Sequence, residues 1–213
     1  MDKIQIWMER LRDSRSKKVV FLSHCILNEN TRYLGGACTG GCISEVIEPY
    51  VASGTGLVQM PCPEQRAWGG VTKRWLLMAY GTKGSLLDRF RSILLPLFLM
   101  NSRRIYRRLA QETSDQIKDY LISGYSVLGV MGIDGSPSCG VNKTLDFGKA
   151  FNLTAAIDID SITVKEMNAL TRQCVTDGPG LFTAALKEEF ERRRINIPYL
   201  AHDLMAEIDG GIS

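Results

Sequence analysis

The chain lacks the features that mark exported and membrane-spanning proteins. Its longest apolar run, residues 93–100, contains Pro96 and covers eight residues, whereas a spanning helix needs roughly 20. Residues 1–18 are charged and have no apolar centre, so no secretory signal is visible. We therefore expect a cytoplasmic protein without a membrane partner, in which cysteine serves metal or redox chemistry rather than disulfides.

Histidine and the common phosphate-binding motifs are also scarce. The chain has only two histidines, which argues against a His-rich zinc site. Residues 81–85, a Gly-Thr-Lys-Gly-Ser stretch, lack the spacing of a P-loop, and no G-x-G-x-x-G motif follows the first predicted strand. These absences remove the usual nucleotide-binding signatures from consideration.

Positive charge is concentrated in one segment. The 213 residues have an ordinary globular composition, 45% hydrophobic and 23% charged, with a net charge of only +3. Residues 83–108 hold six arginines, one lysine and one aspartate, so this segment carries +6 and the rest of the chain −3. A solvent-exposed helix face is the common reason for such a pattern. The alternative is a face that binds phosphate or RNA. Because the solvent-exposed face is the more common case, nucleic acid is not the expected partner.

Short apolar runs that end in turn residues predict the strands of a parallel sheet. Such runs precede Cys25, Cys62 and Cys139 and alternate with helical patterns. This alternation favours a three-layer, open, mostly parallel α/β fold of the Rossmann or flavodoxin type, as a single domain over residues 1–213. The predicted strands are residues 18–23, a run ending at Cys62, residues 125–132 and residues 197–201.

The segments between the strands are expected to be mainly helical. The predicted helices are residues 4–15, 42–52, 114–123, 161–171 and 181–194. Residues 63–75 are expected to form a loop, and a short hairpin is expected between Cys139 and about Asp160. Residues 76–109 show a basic helical pattern that Pro96 interrupts, and this segment is expected to cover the site or to mediate self-association as a homo-oligomer.

Three cysteines follow three predicted strands. Cys25, Cys62 and Cys139 each come at or just beyond the carboxyl end of an apolar run. In open α/β sheets the ligand crevice lies beyond these ends, so we expect the three thiols to meet there. Three thiolates without a fourth in pattern suggest a metal site with one open position. An iron–sulfur cluster that performs chemistry is the expected occupant.

The residues around these cysteines suggest further roles. Glu64 stands beside Cys62 and could donate or accept a proton, although a salt bridge or a helix cap would also explain it. His24 could be a ligand, a proton donor or a hydrogen-bonded core histidine. The Ser136-Pro137-Ser138-Cys139-Gly140 stretch predicts a rigid turn that presents Cys139 beside free backbone N–H groups, with a merely buried cysteine as the alternative.

The remaining cysteines are not expected to be ligands. Cys38 and Cys42 have a C-x3-C spacing, but structural zinc sites usually combine two closely spaced pairs, and only one pair is present. Cys174 precedes a turn and is interpreted as structural.

Taken together, the cysteine motifs resemble those of the 2-thiouracil desulfurase (TudS) family and its related desulfidases. The resemblance covers about residues 18–148, with residues 76–113 as a helical insertion and residues 161–213 as a C-terminal helix–strand extension. It rests on Ser23-His24-Cys25-Ile26-Leu27 with Arg32-Tyr33, on Cys62-Pro63-Glu64 with Gly69-Gly70, and on Ser136-Pro137-Ser138-Cys139-Gly140.

The resemblance implies a cofactor and a reaction. Family members hold a 4Fe-4S cluster by three cysteines, which correspond to Cys25, Cys62 and Cys139. The fourth iron has no protein ligand and binds the sulfur of a thiolated substrate, so that water replaces sulfur without net redox change. The expected function is a non-redox desulfurase that releases sulfide from a small, thiopyrimidine-like compound.

The expected site residues follow from their nearness in sequence to the three ligands. Glu64, Asp134 and Ser136 are the expected catalytic residues. His24 and Asn28 depart from the family pattern where the substrate pocket is expected, and with Arg32 they are the expected substrate-binding residues.

Two other functions remain open at this level. The first is an iron–sulfur or zinc protein with a structural, sensing or RNA- or phosphate-binding role. The second is a flavodoxin-like binding module with inert buried cysteines, which would leave their placement at three strand ends unexplained.

Overall fold

A computed structural model describes residues 3–211 of the chain. Six strands form two sheets, a main sheet with the order β2-β1-β3-β6 and a two-stranded sheet of β4 and β5. All pairings in the main sheet are parallel, and β4 pairs antiparallel with β5. The strands are β1 (Lys18–Leu22), β2 (Gly56–Gln59), β3 (Ser126–Asp134), β4 (Lys143–Leu145), β5 (Val175–Asp177) and β6 (Tyr199–Asp203).

Helices fill the connections between the strands. In the described residues they are α1 (Lys3–Arg10), α2 (His24–Leu27), α3 (Ser44–Ala52), α4 (Pro63–Ala67), α5 (Arg74–Leu77), α6 (Leu86–Arg89), α7 (Arg91–Ile122), α8 (Phe147–Ala155), α9 (Val164–Gln173), α10 (Leu181–Arg193) and α11 (Leu204–Gly211). A short 3-10 helix, Glu29–Thr31, follows α2.

The central strand β1 explains the three layers, because its side chains alternate between the two faces of the sheet. Val19 and Phe21 belong to a core that includes residues of α7 and α10, such as Ile117 and Phe182. Val20 and Leu22 belong to a second core with Ile26, Ile43, Leu204 and Ile208, which come from α2, the start of α3 and α11. The predicted three-layer, mostly parallel α/β fold is thereby confirmed.

Several predicted elements are confirmed, and others are wrong. Helices α3, α9 and α10 match the predicted ones closely. The loop predicted for residues 63–75 instead contains α4 and α5, because Pro63 occupies the first turn of α4, where its missing N–H costs nothing. The hairpin predicted after Cys139 is also wrong, because β4 pairs with β5, about 30 residues further along the chain.

Helix α7 continues through Pro96, contrary to the predicted interruption. Pro96 has no N–H to donate to the carbonyl of Ser92, one helical turn earlier. Both residues are exposed, so water can bind that carbonyl instead. The second half of α7 supplies buried Tyr106, Leu109 and Ala110 to the main core. The C-terminal end of the 76–113 segment therefore lies within α7, where no helix or strand ends.

The C-terminal residues form part of the same architecture. Strand β6 pairs with β3 from Val130–Tyr199 to Asp134–Asp203, so residues beyond 161 complete the main sheet. Among the helices described for residues 3–211, none is long and apolar enough to cross a membrane.

Candidate functional site

The three predicted ligands lie at the same edge of the main sheet. Cys25 lies on α2 directly after β1, Cys62 precedes α4 after β2, and Cys139 follows β3. Because β2, β1 and β3 are adjacent and parallel, their carboxyl ends bring the cysteines to one crevice, which all three line. All three are free thiols. Their expected convergence on one crevice is therefore seen in the structure.

These thiols occupy a setting that disfavours bare thiolates. Cys62 and Cys139 are only 8% and 6% exposed, and Cys25 is half-buried. Burial raises the pKa of Cys25 to about 11 and that of Cys62 to about 12. The pKa of Cys139 lies well above its ordinary value because of burial and because negative charge on Cys25 and Cys62 would repel its own. The thiols thus lie near enough to act on one another electrostatically.

Glu64 is held in the crevice by groups from two other segments. Its Oε2 forms an ion pair with the ammonium of Lys73, and its Oε1 accepts hydrogen bonds from the hydroxyl of Ser138 at 2.8 Å and, more weakly, of Ser136 at 3.4 Å. Glu64, Lys73 and Ser138 are all buried. The carboxylate is therefore fixed beside the thiols rather than free to swing into solvent.

Lys73 is a site residue that the sequence interpretation missed. Burial alone would lower its pKa, but the negative charge of Glu64 outweighs burial and raises it. Its backbone is left-handed, with φ of 52°, and follows a turn at Gly69 and Gly70. A Cβ on Gly69 would lie 3.1 Å from Trp75, so the close approach requires glycine. The Gly69-Gly70 pair after Glu64 could have pointed to Lys73, since a tight turn there returns the chain to the crevice.

The loop that carries Cys139 is fixed from both sides. The Ser136 hydroxyl accepts hydrogen bonds from the backbone N–H of Ser138 at 3.3 Å and of Cys139 at 3.1 Å. On the other side, the first turn of α10 donates backbone hydrogen bonds to carbonyls of the loop, including Phe182 to Ser138 at 3.0 Å. The position of Cys139 is therefore determined before any ligand binds.

Thiols are the ligands of iron–sulfur clusters, so the donor type of Cys25, Cys62 and Cys139 is compatible with such a cluster. Cys62 Sγ accepts a hydrogen bond from the backbone N–H of Gln65 at 3.4 Å, a contact of the kind that tunes cluster sulfurs, and the Ser138 hydroxyl, whose one proton goes to Glu64, lies 3.7 Å from Cys139 Sγ. In the described part of the chain, no three His, Cys, Asp or Glu side chains form a group that could hold a metal ion. Each thiolate of a four-iron cluster binds a different iron, so a cluster needs a wider set of sulfurs than a single ion does.

The other expected catalytic residues are placed differently. Ser136 lines the crevice. Asp134 is absent from its lining and instead accepts hydrogen bonds from the backbones of Val141, Asn142 and Lys143 and from the Asn142 side chain. Burial would raise the pKa of Asp134, but these bonds outweigh it and lower the pKa. This arrangement favours a structural role for Asp134.

The three expected substrate-binding residues also differ in their contacts. His24 lines the crevice, and burial lowers its pKa. Asn28 is outside the crevice lining and caps the 3-10 helix, its side-chain oxygen accepting from the backbone of Asn30. Arg32 lines the crevice, but its guanidinium binds both carboxylate oxygens of Glu207, at 2.9 and 2.8 Å, and so ties α11 to the segment after β1.

The remaining cysteines separate into two groups. Cys38 and Cys42 are not among the residues that line the crevice. Cys174 is buried and does line it, at the end of α9. Burial, Lys149 and Asp146 set its pKa, whereas the pKa of Cys139 responds to Cys25 and Cys62. Cys174 therefore differs from the other three cysteines of the crevice in its origin, at the end of α9 rather than after a strand of the main sheet.

The lining of the crevice also contains apolar and aromatic side chains. Tyr80 from the segment after α5 and Phe147 and Phe151 from α8 contribute to this aromatic wall, together with Trp68. Trp68 and Phe147 meet edge to face with ring centroids 5.1 Å apart. The crevice thus combines apolar aromatic surface with thiols and a paired carboxylate.

The described residues form an open α/β protein in which four cysteines line one crevice, three of them following strands at the carboxyl edge of the parallel sheet. The chain is 26% identical, over 133 residues, to "Uncharacterized protein MJ0003" of Methanocaldococcus jannaschii, a match that covers 61% of this chain and 71% of that protein. No family model matches the chain, and no solved structure matches it.

Proposed function

We propose that the protein is an iron–sulfur-dependent, non-redox desulfurase that removes sulfur from the thiocarbonyl group of a small, thiopyrimidine-like compound. Cys25, Cys62 and Cys139 would hold a 4Fe-4S cluster through three of its irons. When bound, the cluster would supply an iron without a protein ligand, a Lewis acid for the sulfur of the substrate. The overall reaction converts a thiocarbonyl and water into a carbonyl and hydrogen sulfide, so no net electron transfer is required.

Glu64 is the residue best placed to move protons in this reaction. Its Oε1 is held by the Ser138 hydroxyl and its Oε2 by Lys73, so the carboxylate is oriented at the thiol edge of the crevice. A proton that water loses as its oxygen attacks the thiocarbonyl carbon can pass to Glu64, and from there to the departing sulfur. The second proton leaves the new hydroxyl group as the C–S bond breaks and the carbonyl forms, and it completes the hydrogen sulfide. The aromatic wall would hold a planar heterocycle and exclude bulk water.

One observation carries the proposal. Three buried or half-buried free thiols from the ends of three adjacent parallel strands converge on a crevice that also contains a fixed carboxylate. An inert core would not require thiols at all three strand ends, and it would not require a buried ion pair beside them.

The zinc alternative would bring Cys38 or Cys42 into the site, because structural zinc is usually four-coordinate. Neither residue lines the crevice. Cys174 does line it, so retention of the metal in Cys174→Ala is the result that argues against a four-coordinate zinc site.

The test is reconstitution with iron and sulfide under anaerobic conditions, followed by metal analysis and EPR spectroscopy. We expect about four irons per chain, lost in Cys25→Ala, Cys62→Ala and Cys139→Ala and kept in the control variants Cys38→Ala and Cys174→Ala. Loaded protein is then assayed for sulfide release from a panel of thiopyrimidines. A cluster without release from any thio-compound would reject the desulfurase but keep the iron–sulfur site, and the absence of a cluster would reject both.

A further inference from the structure

The outward face of the first half of α7 is apolar and then basic along the helix. Ile93, Leu97, Met100, Arg104 and Arg107 follow one another at alternating spacings of four and three residues, so they share one side of the helix. The opposite side carries the buried residues Ser102, Tyr106, Leu109 and Ala110. The first set is called the α7 outer face below.

This face exposes more apolar surface than a water-soluble helix normally does. Ile93, Leu97 and Met100 are 60%, 52% and 63% exposed. Phe90, directly before α7, is also exposed, as are Trp75, Met78 and Leu86 in the preceding segments. Several exposed apolar side chains on one helix face usually mark a contact with another molecule or with a membrane.

The same face ends in a group of arginines. Arg103, Arg104, Arg107 and Arg108 are exposed, and together with Leu95, Leu99 and Met100 they line a shallow groove along α7. Among the described residues, Arg108 pairs with Glu112, and no acidic side chain forms an ion pair with the other three. The partner should therefore supply both apolar groups and negative charge.

Charge argues against a second copy of the chain as this partner. A parallel pairing of two α7 helices would place Arg104 and Arg107 against the same arginines of the other copy, where like charges repel. An antiparallel pairing centred on Leu97 would place Arg104 near residue 90, which is Phe90, so a charge would face an apolar ring. The acid nearest to the arginines in the antiparallel arrangement is Asp88, which already pairs with Arg91 of its own chain.

Single-stranded RNA also matches this surface poorly. RNA binding without base pairing relies on exposed aromatic side chains on which bases stack. The one aromatic residue among the arginines, Tyr106, is buried. The exposed aliphatic side chains Ile93 and Leu97 would have no role in such a complex.

We propose that the α7 outer face binds the surface of an anionic lipid membrane. The apolar end of the face enters the interface between headgroups and acyl chains, and the arginines at its basic end contact anionic headgroups. Phe90, the exposed residue directly before α7, adds an aromatic ring to the apolar end, and such rings favour the interface. The contact requires no spanning helix, so it revises the expectation of no membrane partner without requiring an apolar run of about 20 residues.

The test is co-sedimentation of the full chain with lipid vesicles. One vesicle preparation contains phosphatidylcholine and phosphatidylglycerol in equal parts, and the other contains phosphatidylcholine alone. We expect binding to the first that weakens as salt rises, and much weaker binding to the second. The double variant Leu97→Ser/Arg104→Glu should bind the anionic vesicles at least about tenfold more weakly.

The matched control is the double variant Val164→Ser/Lys165→Glu on α9. It also replaces one exposed aliphatic residue, Val164 at 59% exposure, and reverses one exposed cation. It should bind anionic vesicles as the wild type does, and circular dichroism should show unchanged melting of both variants. None of these residues belongs to the cysteine site, so the result is independent of the proposed reaction.

Three outcomes would overturn the proposal. The first is equal binding to both vesicle types, or no binding to either. The second is a wild-type dimer in light scattering that Leu97→Ser/Arg104→Glu converts to monomer without any vesicle binding, which would assign the face to a second copy. The third is RNA binding that Arg104→Glu alone abolishes while vesicles are not bound, which would assign it to a nucleic acid.

Discussion

At the scale of single residues, the pair Glu64–Lys73 combines a cost in stability with a role in function. Both side chains are at most 10% exposed. Burying two charges costs free energy that their attraction only partly repays, so such a pair is weak evidence for a purely stabilising role. Its position beside three thiols gives a better reason for it, namely the orientation of a carboxylate in the crevice.

Removing only one member of this pair should be costly. Lys73→Met leaves the charge of Glu64 buried without its cation, and we expect a loss of about 3 kcal/mol in the free energy of unfolding. The double variant Glu64→Gln/Lys73→Met should recover most of this loss, because no buried charge remains. Urea unfolding of the two single variants and the double variant measures the coupling. Additive losses would show that the two groups do not act as a pair.

Substitution of Ser136 and of Ser138 should distinguish two effects, the orientation of the Glu64 carboxylate and the retention of the cluster. Ser138 donates to Glu64, so Ser138→Ala should slow sulfide release by about tenfold with unchanged iron content. Ser136 mainly accepts the N–H groups of Ser138 and Cys139, so Ser136→Ala should lower iron retention. Iron content and single-turnover rates are measured on the same samples. Equal effects of both variants on both quantities would contradict this division.

The positions of the cysteines could be predicted at this scale, but the partners of Glu64 could not. Cys25, Cys62 and Cys139 follow strands, and parallel strands bring their carboxyl ends to one edge. Lys73 and Ser138 reach Glu64 through a turn and a loop whose directions depend on packing. Asp134 shows the same limit, because its nearness in sequence to Cys139 did not reveal that backbone N–H groups of residues 141–143 bind its carboxylate.

At the scale of elements, α10 holds the Cys139 loop through a close backbone contact. Gly180 precedes α10, and a Cβ at this position would lie 2.5 Å from the Ser138 carbonyl. Backbone atoms cannot move aside as a flexible side chain can. The contact therefore makes the position of the loop depend on α10, although neither the loop nor the helix shows this in its own sequence pattern.

Substitution of Gly180 tests this dependence. Gly180→Ala should displace the Cys139 loop and lower the free energy of unfolding by about 2 kcal/mol, and it should also reduce iron retention. Gly41→Ala is the control, because a Cβ there would meet no atom within 4 Å. Denaturant unfolding and iron analysis measure the two effects. If Gly180→Ala lost stability but kept its iron, the position of the Cys139 loop would not control cluster binding.

Elements that depend on local periodicity were predicted, and elements that depend on distant partners were not. The regular patterns of α3, α9 and α10 indicate helices without reference to the rest of the chain. Strand β4 has only three residues, and its partner β5 lies beyond two helices, so no local pattern pairs them. Helix α4 was missed because residues 63–75 were expected to form a loop, whereas Pro63 at a first turn favours a helix.

At the scale of the whole molecule, the two hydrophobic cores extend well beyond the cysteine site, although Cys139 itself belongs to the core that includes α7 and α10. The two hydrophobic cores lie on opposite faces of the sheet and draw on strands and helices along most of the chain, and the crevice lies at one edge. A small zinc-dependent domain, by contrast, folds only when its metal joins segments that have no core of their own. We therefore expect the scaffold of the cysteine site to fold without the cluster.

This arrangement predicts how stability responds to the cluster. The chain without the cluster should unfold in one cooperative transition, and loading should raise the melting midpoint by roughly 10 °C, because a ligand that binds only the folded state adds its binding free energy to stability. A chelator should return the midpoint to that of the unloaded chain. The triple variant Cys25→Ala/Cys62→Ala/Cys139→Ala should remain folded and show no rise. Calorimetry under anaerobic conditions measures the four midpoints, those of the unloaded, loaded and chelator-treated chain and of the triple variant. If the unloaded chain showed no cooperative transition, the cluster rather than the two cores would hold the carboxyl edge of the sheet together.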